Sequence, residues 1–128
     1  MKKIYIVDDD EDQLYSIKTG FRLKYPDQYK VIPVGSGEKF LELLKEDEKP
    51  DLVLLDIMMP GLSGWEVFDK VKNTKKWQDI PIVFLTARSD KSTRKAGSRI
   101  ADDYLIKPVK IKELKNKIDE IVSNKKQE

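Results

Sequence analysis

DLVLLDIMMPGLSG, residues Asp51–Gly64, carries four consecutive apolar side chains, Leu52–Leu55, with no polar alternation. Such a run suits a strand buried on both faces, as in a parallel sheet covered by helices, although periodicity alone leaves a buried helix segment open. A carboxylate, Asp56, follows at once, and Pro60-Gly61 marks a turn. Ser63-Gly64-Trp65-Glu66 has the spacing of a capping box that opens a helix. Asp56 is thereby presented at the mouth of a strand, where open α/β sheets place their ligands. Taken alone, a strand-end Asp is more simply the first residue of a loop. Its neighbours elsewhere in the chain argue otherwise.

Working outward, Ile4–Val7 (IYIV) is a second buried-strand candidate and ends in Asp8-Asp9. Ile82–Leu85 (IVFL) follows Pro81 and ends in Thr86-Ala87, while Tyr104–Ile106 ends at Lys107-Pro108. Val31–Val34 is weaker, and its Pro33 belongs on an edge strand because it cannot donate to a ladder. Between the strands, apolar residues recur at helical spacing: Leu14, Ile17 and Phe21; Phe40, Leu43 and Leu44; Val67, Phe68 and Val71; Ile111, Leu114, Ile118 and Ile121. Alternating strands and helices of this kind imply one α/β domain, residues 1–123, with a parallel sheet, right-handed crossovers and helices on both faces. Residues 124–128 read as a polar tail. Ser89–Arg99 (SDKSTRKAGSR) should be helical by position, yet it offers few residues to bury and carries Gly97, so a short or partly unwound element is expected.

Composition narrows the chemistry. The 128 residues include no Cys and no His, which removes disulfides, thiolate nucleophiles, Ser-His-Asp catalysis and His or Cys metal ligands. There is neither an apolar span of membrane length nor a signal-peptide pattern, so a cytoplasmic protein is expected. The net charge of +2 is too near balance to argue for nucleic acid. The basic residues Arg88, Lys91, Arg94, Lys95 and Arg99 have no interleaved aromatics and read as a solvated face. Carboxylates, hydroxyls and lysines remain.

In a parallel sheet the strand ends share one edge, so Asp8, Asp9, Asp56, Thr86 and Lys107 should converge. Two bare carboxylates ~4 Å apart repel by roughly 4 kcal/mol at an effective dielectric near 20, so such a cluster calls for a cation. With oxygen ligands alone the fitting ion is Mg²⁺. Lys107 adds positive charge and Thr86 a neutral donor, together suited to phosphoryl oxygens. The pattern points to phosphoryl transfer onto a carboxylate. Asp10, Glu11 and Asp12 read as helix-start charges with no part in the site.

The motifs IVDDD (Ile6–Asp10), LLDIMMPGLSG (Leu54–Gly64), FLTA (Phe84–Ala87) and ADDYLIKP (Ala101–Pro108) resemble those of response-regulator receiver domains, in the same order and at nearly the same spacing. The resemblance spans about Lys2 to Ser123. It implies a flavodoxin-like, doubly wound, five-stranded parallel sheet of order 2-1-3-4-5, as in stand-alone chemotaxis-type regulators. It further implies that Asp56 accepts a phosphoryl group from the phosphohistidine of a histidine kinase or phosphotransfer protein. Asp9 would bind Mg²⁺ directly, Asp8 mainly through water, and the Met58 backbone carbonyl would complete the protein ligands. Lys107 would contact the phosphoryl group, preceding a cis Lys107–Pro108 bond. Thr86 and Tyr104 would switch inward together, and small Ala87 would leave the site accessible. Such a protein catalyses its own phosphorylation and dephosphorylation without being a conventional enzyme. Met58 and Arg88 occupy the family positions beside the attacking water, and apolar Met58 implies slow self-dephosphorylation.

Some features depart from the family pattern. Thr86 to Tyr104 is one residue shorter, Ile100 replaces a common glycine, and Lys110 replaces a frequent helix-capping Asp. A shortened element at Ser89–Arg99, loss of dimerisation through that face and a monomer are the expectation. The downstream protein partner is not readable from the sequence. Two rival readings are a haloacid-dehalogenase-type phosphohydrolase, with Asp8-x-Asp10 as its nucleophile motif, and a degenerate receiver acting as a docking module. The phosphohydrolase is disfavoured by Asp12, by the missing acidic pair after the lysine and by the lack of a cap segment.

Overall fold

Five strands, β1 (Lys2–Val7), β2 (Tyr29–Val34), β3 (Leu52–Asp56), β4 (Ile82–Thr86) and β5 (Asp103–Ile106), pair in parallel in the order β2-β1-β3-β4-β5. This computed structural model describes residues 1–46, 49–86 and 103–127. Its helices are α1 (Glu11–Lys24), α2 (Gly37–Glu46), α3 (Gly64–Lys72) and α4 (Ile111–Gln127). The topology is the doubly wound one expected from the sequence. The element expected over Ser89–Arg99, with its dimerisation face, lies outside the described residues, as do Ala87, Arg88 and Ile100.

Strand residues alternate between two cores. Tyr5, Val7, Val53, Leu55, Ile82 and Phe84 face α2 and α3, where they meet Phe40, Leu44, Val67, Phe68 and Val71. Ile4, Ile6, Leu52, Leu54, Val83 and Leu85 face the other way, onto Leu14, Ile17 and Phe21 of α1 and Leu114, Ile118 and Val122 of α4. Both faces are buried, which is why the inner strands show no polar alternation. On α4 the expected stripe shifts slightly: Val122 is buried, whereas Ile111 and Ile121 are only half-buried. That helix continues to Gln127, through residues expected as a polar tail. Elongation adds one backbone bond for each residue fixed, so a helix can outrun its apolar face.

β2 is an edge strand, with Pro33 opposite Ile6. The Lys2 N–H donates to the Gln28 carbonyl and the Asp8 N–H to the Val34 carbonyl. The N–H and C=O groups of even-numbered β2 residues therefore face β1, and the donor that Pro33 lacks falls on the outer edge.

The strand starts are tied by Asp119 of α4. Its carboxylate accepts from Lys2 Nζ at 2.8 Å, from Lys115 Nζ at 2.7 Å and from the Tyr29 hydroxyl. Burial alone would raise this carboxyl, but those donors hold it at about 2. The strand ends carry the chemistry.

Candidate functional site

Register brings the acids together. Val7 lies opposite Leu55 in the β1–β3 pair, so one residue further on Asp8 and Asp56 stand side by side. The carboxylates of Asp8, Asp9 and Asp56 approach within 4.8 Å of one another. Asp8 is wholly buried and Asp56 is 6% exposed, whereas Asp9 faces solvent. Lys107, just past β5, places Nζ 2.6 Å from Asp8 Oδ2 and 3.8 Å from Asp56 Oδ1. The Lys107–Pro108 peptide bond is cis, as expected.

Local sequence explains how the first acidic run is divided. The Asp10 side chain caps α1 by accepting from the Asp12 and Gln13 N–H groups. Its own N–H donates to Asp8 Oδ1 at 3.0 Å. Asp10 thus serves the helix start, leaving Asp8 and Asp9 to the cluster.

The loop after β3 is closed at its base by Gly64, whose N–H donates to the Ile57 carbonyl at 2.8 Å. Ser63 and Glu66 complete the capping box of α3. A Cβ on Gly64 would lie 2.3 Å from the Asp56 carbonyl oxygen and 2.7 Å from Ile57 Cα, so this backbone approach requires glycine. Within the loop, the Met58 N–H donates to the Asp56 carboxylate. The Met58 side chain is 57% exposed, so its backbone is what the site can use.

Burial pushes the Asp56 carboxyl up to about 6; Lys107 opposes the shift, Asp8 adds to it, and the Met58 N–H opposes it again. An acid raised on folding binds its extra proton between its unfolded and folded values, here 3.8 and about 6. Without divalent ions, this residue's contribution to stability is present below about pH 4 and lost as pH rises through 6. Urea titrations at closely spaced pH should show it as a downward slope in the parent that is absent in Asp56→Asn. Equal slopes would show that Asp56 titrates normally.

The donor set fits a hard cation. Three carboxylates, with the Met58 backbone carbonyl near Asp56 in sequence, offer oxygen and no nitrogen or sulfur, against a single ammonium. Of the remaining residues singled out in the sequence, Thr86 and Tyr104 lie on the two strands beyond β3. Asp56 pairs with Leu85, so Thr86 ends β4 one position beyond it and pairs with Ile106. Tyr104 pairs with Phe84, is half-buried, and packs against the core on the α2–α3 side. Sequence reasoning missed Glu38, whose Oε1 accepts from the Leu62 N–H at 2.8 Å. Nothing in an exposed helix residue 24 positions away signals that contact.

No helix among the described residues is long and apolar enough to cross a membrane. The family model for the response regulator receiver domain matches residues 4–119. Over 111 residues the chain is 38% identical to the transcriptional regulatory protein AfsQ1 of Streptomyces coelicolor, covering 85% of this chain and 46% of that one. It is 36% identical over 124 residues to a probable cyclic di-GMP phosphodiesterase of Vibrio cholerae, covering 96% of this chain and 27% of that protein. The chain therefore spans less than half the length of these curated relatives. Among solved structures, a putative response regulator from Chloroflexus aurantiacus superposes with a TM-score of 0.85 at 30% identity, covering 95% of this chain and 98% of that one. A CheY-like receiver domain protein from Methanospirillum hungatei gives 0.85 at 27%, covering 99% and 98%. Sheet order and sequence match thus agree along nearly the whole chain, which belongs to the response-regulator receiver family, the phosphoacceptor modules of two-component signalling.

Proposed function

We propose that Asp56 is the phosphoacceptor and that its partner is the phosphohistidine of a histidine kinase or phosphotransfer protein. The observation that carries this is the unequal burial and pairing of the three acids. Asp8 is wholly enclosed and in close contact with Lys107, Asp9 is exposed, and Asp56 lies at the strand mouth with weaker pairing. An Asp56 oxygen attacks phosphorus, the phosphorus–nitrogen bond breaks, and the imidazole nitrogen leaves with the electron pair. Asp8, Asp9, Asp56 and the Met58 carbonyl would hold Mg²⁺, which when bound offsets the charge of the carboxylates and the incoming phosphoryl oxygens. Lys107 is close enough to help neutralise the same charge. Phosphorylation adds charge at the sheet edge and thereby favours the conformation in which Thr86 and Tyr104 have moved inward. A downstream protein would read that state.

Intact mass after incubation with Mg²⁺ and a small phosphodonor tests this. The parent should gain one base-labile phosphoryl group, and Asp56→Asn should gain none. No gain in the parent would favour the docking module, and phosphate mapped to Asp8 would favour the phosphohydrolase.

A further inference from the structure

We infer that Glu38 is a positioning residue for the phosphoacceptor loop, tethering residues 57–63 so that the backbone of Met58 keeps its place beside Asp56. This rests on the acceptor and metal roles proposed above.

Glu38 stands in the first turn of α2, exposed, with its carboxylate turned onto the loop after β3. Besides accepting from the Leu62 N–H, it occupies the space that a side chain at position 61 would take. A Cβ on Gly61 would lie 2.8 Å from Glu38 Oε1 and 3.4 Å from Oε2. Gly61 itself has φ +75°, a conformation suited to glycine. The loop is thus held at three places: the Gly64–Ile57 bond at its base, the Ser63–Glu66 box where α3 begins, and Glu38 near its tip. Met58 lies between the base and the tip, and both its backbone groups matter. Its N–H donates to Asp56, and its carbonyl is the proposed metal ligand. Releasing the tip leaves part of Met58–Gly61 to be ordered when metal binds, and that cost appears as weaker binding.

The ordinary alternative is that Glu38 is an acid favoured near a helix N-terminus by the macrodipole. That role would alter α2 stability and leave metal binding untouched. The two are separated by calorimetric Mg²⁺ titration and amide hydrogen exchange on the whole chain carrying Glu38→Ala or Glu38→Gln. Expected for Glu38→Ala is Mg²⁺ binding weakened about three- to tenfold, as when roughly one backbone residue must be ordered. Exchange at Leu62 and Met58 should quicken, and thermal unfolding without metal should confirm the fold. Glu38→Gln keeps an acceptor oxygen and should bind within about twofold of the parent, hydrogen bonding rather than charge being what counts. Parent-like Mg²⁺ binding in Glu38→Ala, or equal loss in both variants, overturns the inference. If the parent's Mg²⁺ binding is indifferent to Asp9→Asn, the metal-site reading fails instead, and exchange at Leu62 and Met58 still decides the tether.

Discussion

Gly64→Ala should lower stability by about 3 kcal/mol, at the upper end of what forced overpacking costs. The sign is not obvious, because Ala is favoured over Gly inside a helix by about 1 kcal/mol. The contacts decide it. The added methyl would meet the Asp56 carbonyl oxygen and Ile57 Cα, and neither can turn away as a side-chain end could. Relief requires moving the end of β3 or the start of α3, which breaks the Gly64–Ile57 bond and shifts the Asp56 carboxylate. Gly20→Ala is the control. There the methyl meets Ile111 Cγ1 at 2.6 Å and Cδ1 at 2.7 Å, atoms of a half-buried side chain that can rotate. Urea unfolding should place Gly20→Ala near the parent and Gly64→Ala far below it. Similar midpoints for the two would mean that the backbone at Gly64 yields more easily than its contacts imply.

Lys107→Met should cost about 2–3 kcal/mol at neutral pH and, uncommonly for a core-edge substitution, most of the loss should be recovered with Mg²⁺. Methionine keeps the apolar stem and removes the charge. Asp8, wholly buried, then faces Asp56 with no ammonium at 2.6 Å. Breaking a buried pair from one side typically costs about 3–5 kcal/mol, and the partial exposure of Lys107 trims that figure. Lowering the pH should also shrink the deficit, since a proton can take the place of the missing cation. Asp8→Asn in the same background should restore much of the stability, so the double-mutant cycle should be strongly non-additive. Simple additivity in urea midpoints would show that the pair is not coupled.

How far these features were legible differs by residue. The inner strands announced themselves because each is buried on both faces, and Pro33 marked its strand as an edge. Asp8, Asp9, Asp56 and Lys107 could be placed together because parallel strands share one edge for their ends. Their division of labour could not. Before any phosphoryl group arrives Lys107 lies closest to Asp8, since a carboxylate with no exposure needs a countercharge, and sequence alone does not give that pairing. Gly64 was readable as a capping-box residue, but the approach of Asp56 to it is a tertiary fact. The Asp119 hub joins residues over 100 positions apart, and Glu38 joins α2 to the loop after β3 through an ordinary surface side chain. Local pattern carries no trace of either.

Pro33 also bears on how the protein behaves in a crowded solution. An exposed edge strand is a template on which another chain's strand can dock, the first step of edge-to-edge aggregation. On the outer side of β2 the N–H and C=O groups of odd-numbered residues face away from β1, and at Pro33 that row lacks a donor. An incoming strand would find its ladder interrupted near the end of β2, and near its start it would meet the exposed charge of Lys30. The residue that weakened the strand in the sequence thus makes the β2 edge of the sheet a poorer template for another chain.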